Sequence, residues 1–422
     1  MSQSTHMAPP AKLRRDLRLL DAIAIGLGAI VGAELFVVTG VAAGVAGPAF
    51  ILGLVLASVP AICNALSSAQ LAANYPQVGG TYEYGYRVLH PWLGFAAGWV
   101  FLASKLLAGG AVATGCASYL VNLIPGLPQR PTAAIAVVIL TAVNYVGIKK
   151  SGRLNTTIVA ITVATLAYFV IAGLPSFDAA NLQPFAPAGV GGVLQSAALL
   201  FFAYTGYARL ATLAEEVDAP RTTIPRAISV ALGLATVLYL LVSIVAVGGV
   251  GAAALAATAS PLERAARAFA LPGVVLAVGI GAVTAMLGVL LSQLLGISRM
   301  LYAMSRRRDL PGLLDHVHPR YQAPDRGILL TGAIIFLLTL IGDVPRFVSG
   351  ASFTILLYYS ITNIAALRMP AAQKLYPDWV AALGLGSCLL LAVSLPLQTI
   401  TAGVTLLAVG LVLRVLFKRL AG

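Results

Sequence analysis

The sequence predicts an all-α integral membrane fold of about twelve transmembrane helices, and three observations carry that reading. The chain of 422 residues is 59% hydrophobic and only 10% charged, against about 25% charged residues in a soluble domain. Its apolar residues gather in blocks of about 20, the length that crosses ~30 Å of hydrocarbon as a helix. The blocks lack the period-two alternation of a porin-like barrel.

Taken in order, the first 18 residues are polar and basic and lead into an apolar stretch with no plausible signal cleavage site. Residues 1–16 are read as a cytoplasmic tail and block 17–44 as a first membrane helix that stays in place. Blocks 48–74, 91–121, 131–147 and 154–174 follow, then 192–214, 225–250, 272–304, 326–342 and 346–367, and finally 378–395 and 397–417. Between them, 79–90 reads as a short interfacial helix whose Tyr82, Tyr84 and Tyr86 suit the headgroup level. Residues 261–270 read as a second amphipathic piece outside the membrane. Blocks 17–174 and 192–367 form two five-helix halves, and 378–417 adds two helices.

Orientation follows from the loops. With the N-terminus cytoplasmic, 21 of the 27 Lys and Arg residues fall on the cytoplasmic side. Only Arg130, Arg264, Arg267 and Arg346 fall on the other. That asymmetry places both termini in the cytoplasm. It also accounts for the net charge of +13 without a nucleic acid, with anionic lipid as a further partner for the basic clusters. Cys63, Cys116 and Cys388 lie inside apolar blocks and have neither metal-ligand nor disulfide spacing.

Two blocks are not plain spans. The first contains Gly26, Gly28 and Gly32, and the sixth contains Phe202, Ala203, Tyr204, Thr205 and Gly206. Glycine in a helix interior costs ~1 kcal/mol against alanine. In lipid an unwound stretch must line a cavity or be buried in protein. A broken helix turns one half-helix N-terminus toward anions and one C-terminus toward cations, and an amino acid zwitterion has one group for each. The two blocks also open the two halves, and interrupted helices in matching positions point to a transporter site. The alternative is that these glycines only allow close helix packing.

The stretches GLGAIVGAELFVVTGVAAGVAGPAF (26–50), ALSSAQLAANYPQVGGTYEYGYRVL (65–89), FFAYTGYARLATLAEEVDAPRTTIPRAI (201–228) and GISRMLYAMSRRRDLP (296–311) resemble the first-, second-, sixth- and eighth-helix motifs of the amino acid–polyamine–organocation permeases. The resemblance implies two inverted five-helix repeats plus two C-terminal helices, with alternating access around a mid-membrane site. It implies that substrate carboxylate binds the amides near Gly32, Ala33 and Glu34. Substrate amine would bind the carbonyls near Ala29, Ile30, Phe202, Ala203 and Tyr204, with Gly206 completing the second break.

Glu34 departs from the family, which commonly has glycine there. A charge at the bilayer centre costs ~2.5–3.5 kcal/mol on insertion scales. Three roles compete: a proton-coupling carboxylate, a ligand for a cationic substrate group, and a structural partner of a basic residue. An ionised Glu34 beside the carboxylate site disfavours acidic substrates and keeps amines lacking a carboxylate in play. Lys105 lies midway along the third block, either snorkelling or pairing with Glu34 in a proton-sharing couple. Arg209 either pairs with Glu34 or reaches toward Glu215 and Glu216 as a gate. Thr162 stands where some proton-coupled relatives have a lysine, which puts that device in doubt. Thr162, Thr284 and Ser292 are sodium-site candidates, although membrane hydroxyls more often bond their own helix.

No phosphate-binding loop, GxSxG or HExxH is present, and His6, His90, His316 and His318 complete no metal cluster. The expectation is a secondary transporter of amino acids, coupled to protons or exchanging, with no cofactor and sodium the less favoured ion. An amine or polyamine transporter is the alternative. A membrane enzyme would need convergent polar groups at one depth, and only Glu34, Lys105 and Arg209 are at hand. A channel would conduct without saturation. The short tails suggest a bacterial plasma (inner) membrane.

Overall fold

The computed structural model describes residues 18–75, 79–146, 152–207 and 220–420. All regular structure among them is helical. The first expected block divides into α1 (Leu19–Ile30) and α2 (Glu34–Ala46). The second becomes a 3₁₀ turn (Gly47–Ala49) and α3 (Phe50–Asn74). Helix α4 (Thr81–Tyr84) runs into a π-helical turn (Gly85–Leu89). Then come α5 (Pro91–Leu123), α6 (Gln129–Tyr145) and α7 (Gly152–Gly173). Helix α8 (Gly189–Tyr204) tightens into a 3₁₀ turn at Thr205–Tyr207.

Helix α9 (Pro220–Ala256) breaks at Gly251, where φ is 76° and ψ 159°. Only glycine adopts that backbone without strain, and the apolar block ends at the residue before it. The short α10 (Pro261–Ala266) is followed by α11 (Val274–Arg306), α12 (Asp325–Ile341), α13 (Val344–Arg368), α14 (Asp378–Val393) and α15 (Leu397–Leu420). Every expected block therefore carries helix. Among the described residues, eight stretches are long and apolar enough to cross a bilayer by length and composition, one of them running from α2 through α3. The others are shorter: α6 and α12 have 17 residues each and α14 has 16.

Helix α5 packs against both α11 and α13, α8 lies against α2 and α3, and α1 lies against α9. Ile135, Val138 and Ile139 of α6 and Val412 and Leu416 of α15 are exposed, the apolar outer surface that lipid requires. Trp92 and Trp379 are exposed near the starts of α5 and α14, as at a membrane interface. Inside, polar side chains tie helices together. Asn363 of α13 donates to the Asn64 side chain at 2.6 Å and accepts from Ser67 at 2.7 Å. Asn64 donates to Cys388 Sγ of α14 at 3.2 Å. All three cysteines are buried free thiols.

Residues that loop counting puts on one face do meet there. Asp309, with a fully buried side chain, accepts from Tyr82 at 2.8 Å, from Tyr86, and from Arg414 Nε at 3.0 Å; Lys418 lies 3.8 Å away. Arg307 pairs with Glu83 and lies over the rings of Tyr82 and Tyr86. This corrects one expectation. Tyr82 and Tyr84 are 1% and 5% exposed, so they face protein and not headgroups, because α4 is wedged between α5 and α13. Burial, and then the charge and hydrogen bond of Asp309, push the Tyr82 phenol well above its ordinary range. On the opposite face Asn122 donates to Glu263 at 3.0 Å, and Arg267 pairs with Glu263 at 2.6 Å.

Candidate functional site

The break between α1 and α2 is built from three residues. Val31, at φ −73° and ψ 78°, is the centre of an inverse γ-turn, in which the Gly32 amide donates to the Ile30 carbonyl at 2.8 Å. Gly32 and Ala33 are buried. The glycines of this stretch serve two purposes. A Cβ on Gly28 would lie 2.4 Å from a Val159 methyl, so Gly28 allows α1 to approach α7. A Cβ on Gly32 would lie 2.5 Å from the Glu34 carboxylate. The Glu34 side chain therefore folds back over the break, its carboxylate close to Gly32. A carboxylate is favoured there by the exposed amides and dipole of the α2 N-terminus.

The second break, at the end of α8, faces the first, and the link between them is a residue the sequence reading did not single out. The Tyr239 hydroxyl of α9 donates to the Ile30 carbonyl at 2.7 Å and faces the Ala203 carbonyl at 3.2 Å. Its ring is fully buried and packs against the Tyr204 ring, tilted 53° to it with centroids 5.5 Å apart. A carbonyl has two lone pairs. With Gly32 and Tyr239 both bonded, the Ile30 oxygen has its full complement. Phe202, Ala203 and Tyr204 are buried, and the Tyr204 hydroxyl donates to Leu54 of α3 at 3.3 Å. Gly206 lies in the 3₁₀ turn and is half-buried. Ala29 lies in the last turn of α1.

Lys105 projects from the middle of α5. Its ammonium lies 5.9 Å from the Phe101 ring and is within electrostatic reach of Glu34. Among the described residues it makes no hydrogen bond and no ion pair. Glu34 likewise forms no ion pair among the described residues. Both side chains are half-buried. On α11, one turn apart, Val289 faces Gly32 and Gln293 lies near Gly109, itself one turn beyond Lys105. The Gln293 Oε1 is buried without a hydrogen-bond partner. Glu34, Lys105 and Gln293 thus line one interior region with their polar capacity unused.

The remaining candidates lie elsewhere or are already bonded. The Thr162 hydroxyl donates to Ile158 at 2.8 Å, Thr284 to Ile280 at 2.8 Å and Ser292 to Gly288 at 3.0 Å, each within its own helix. Arg209, Glu215 and Glu216 lie outside the described residues. No cluster of His, Cys, Asp and Glu suited to a metal occurs among the described residues. Tyr239 and Gln293 carry no motif. Only an aromatic hydroxyl and an amide in apolar helices mark them in the sequence.

Apolar helices around two facing backbone breaks, with ionisable groups at mid-membrane, define a multi-pass membrane protein of transporter type. The family model for amino acid permeases matches residues 21–417, and the chain belongs to that family. It is 43% identical over 404 residues to an uncharacterised transporter of Mycobacterium tuberculosis, covering 95% of this chain and 91% of the other. It is 31% identical to the methylthioribose transporter of Bacillus subtilis, with 96% and 94% covered. It is 30% identical to the branched-chain amino acid permease BcaP of the same species, with the same coverage. These relatives are transporters and permeases, and amino acid transport is what the family supports.

Proposed function

We propose that the chain is a secondary active transporter that carries amino acids by alternating access around the two helix breaks, and that it is not an enzyme. The observation that carries this reading is the Tyr239 hydroxyl, which bridges Ile30 at the first break and Ala203 at the second. It ties together two discontinuities whose relative movement would open the site to either side. The basic face is cytoplasmic, with both termini there, in a plasma membrane. Coupling, if it runs through protons, uses Glu34 and Lys105, the ionisable pair at mid-membrane. Sodium is the weaker reading, since the Thr162, Thr284 and Ser292 hydroxyls donate within their own helices.

A second reading is favoured by one observation. The Glu34 carboxylate covers Gly32, where a substrate carboxylate was expected, which suits an amine transporter. The relatives' names span branched-chain amino acids and methylthioribose, so the family name does not choose the solute. Counterflow in proteoliposomes tests both readings, with panels of amino acids and their decarboxylated amines, with and without an inward proton gradient. Saturable exchange of an amino acid supports the first reading and exchange of amines alone the second. Conduction without saturation, or no counterflow of any solute, overturns both.

A further inference from the structure

The basic residues at the end of α15 divide by direction. Arg414 and Lys418 are one helical turn apart and share a face that turns inward, with Arg414 Nε 3.0 Å and Lys418 Nζ 3.8 Å from the Asp309 carboxylate. Arg419 is rotated about 100° from Lys418 around the helix. It is exposed and makes no ion pair among the described residues. The sequence has no Asp or Glu from residue 379 onward, so no acid of α15 itself can serve it.

The face of α15 that carries Arg419 also carries an open apolar groove of about 400 Å³. Its lining is Val404, Thr405, Ala408, Val409, Val412 and Leu413, two rows spaced at one turn. Val404, Val409 and Val412 are 52%, 48% and 60% exposed, so no described helix covers them. Arg419 stands two turns beyond Val412 and in line with it. At this end Trp92 is exposed, and the Arg414 guanidinium lies 4.7 Å from its ring. Exposed tryptophan marks the membrane interface. The groove then faces hydrocarbon and Arg419 faces headgroups. From Val404 to Arg419 the helix rises ~22 Å, half of the ~40–45 Å that a bilayer measures with its headgroups. The groove and its cation together are one leaflet deep.

We infer that the groove and Arg419 form a binding site for one anionic phospholipid, with an acyl chain along the groove and the phosphate on the Arg419 guanidinium. The planar fork of arginine suits phosphate, and charge assistance strengthens the contact. A zwitterionic headgroup brings its own cation and gains less. A second copy of the chain fits the face worse. Copies in one bilayer share an orientation, so a two-fold axis between them runs along the membrane normal and equivalent residues meet at equal depth. Arg419 would then meet Arg419, with no acid of α15 to relieve the repulsion. The bound lipid holds α15, which packs on α5 and α13, and touches neither helix break. The site requires only that the chain lie in a membrane, whichever solute it carries.

The test titrates the full chain in detergent with phosphatidylglycerol or with phosphatidylcholine of the same acyl chains, and reads bound lipid by native mass spectrometry. The other basic residues of that face attract anionic lipid diffusely, so the measure is the difference between parent and variant. One surface cation is worth about fivefold in affinity for anionic lipid. Arg419→Gln is therefore expected to weaken phosphatidylglycerol about fivefold and leave phosphatidylcholine unchanged, while Arg419→Lys keeps most of the preference. Ala408→Phe fills the groove and is expected to weaken both lipids. If that variant does not fold, Arg419→Gln decides alone. Equal affinity of the parent for the two lipids, or unchanged phosphatidylglycerol binding in Arg419→Gln, overturns the inference. So does unchanged binding in folded Ala408→Phe, which would leave the groove without a role. A concentration-dependent dimer of the parent that Ala408→Phe abolishes gives the groove to a second copy and overturns it as well.

Discussion

Two regions that hold ionisable side chains are treated oppositely. Around Asp309 every group is matched: two phenols, a guanidinium and an ammonium converge on one carboxylate whose side chain is 0% exposed. Around Glu34, neither Glu34 nor Lys105 forms an ion pair among the described residues, and Gln293 Oε1 has no partner. Burial of charge alone does not separate structural from functional groups. Saturation does, since a saturated cluster locks helices and an unsaturated one retains binding capacity. The matched cluster joins α4, α11 and α15 at one face, and the unmatched one lies where α2, α5 and α11 converge.

The largest effect expected from this contrast is on stability. Asp309→Ala leaves Arg414, whose side chain is 4% exposed, without its carboxylate, and orphaning a buried charge costs about 3–5 kcal/mol. Glu34→Gln removes an isolated charge instead and is expected to be neutral or mildly stabilising. Thermal unfolding of both variants in detergent checks the pair. Equal destabilisation by the two would erase the distinction between the regions.

Tyr239→Phe comes next, because it sharpens where the unmatched region begins. The substitution keeps the ring and removes one hydroxyl from two buried carbonyls, Ile30 and Ala203. A lost buried hydrogen bond of this kind costs about 1–3 kcal/mol. The expected outcome is a lowered melting temperature together with a slower rate of counterflow. A variant that melts lower but exchanges at the wild-type rate would make Tyr239 a core residue and nothing more.

These two residues also show what the sequence could and could not disclose. The helices were legible because block length and lipid thickness determine them, and the break at Gly32 was legible because glycine clusters are costly in a membrane helix. Glu34 and Lys105 declared themselves by being charged where charge is expensive. Asp309 was passed over because it follows three arginines in a loop and reads as solvated. Its burial depends on Arg414, 105 positions away. Tyr239 and Gln293 were invisible for a related reason, since polar atoms in apolar helices are common and only the tertiary fold says which lack partners. The tyrosines of 79–90 misled because an aromatic loop residue suits a headgroup and a protein interior equally well.

A smaller effect is expected at Thr162. Its hydroxyl bonds Ile158 one turn back, so Thr162→Val exchanges a local hydrogen bond for a methyl group of similar shape, and stability should change by under about 1 kcal/mol. Counterflow measured with and without sodium should show the same ion dependence in the variant as in the parent. A sodium dependence present in the parent and lost in the variant would place Thr162 with the functional groups and redraw the boundary of the unmatched region.

The smallest effect belongs to a pair intermediate between the two regions. At the start of α12 the Asp325 carboxylate meets His316 Nδ1 at 2.7 Å, with the His316 side chain 39% exposed. Burial works against ionisation of Asp325. The His316 hydrogen bond, the Arg326 amide and the charges of His316 and His318 outweigh it and hold the carboxyl below its ordinary value of 3.8. A carboxyl depressed in the folded state contributes stability that is fully present above the ordinary value and is lost as pH falls through the folded one. Melting of the parent should therefore fall with an extra acid slope below about pH 4, and Asp325→Asn should lack that component. If the variant keeps the full slope, the pair is as idle as most exposed ion pairs, and the matched side of the comparison contracts to the cluster around Asp309.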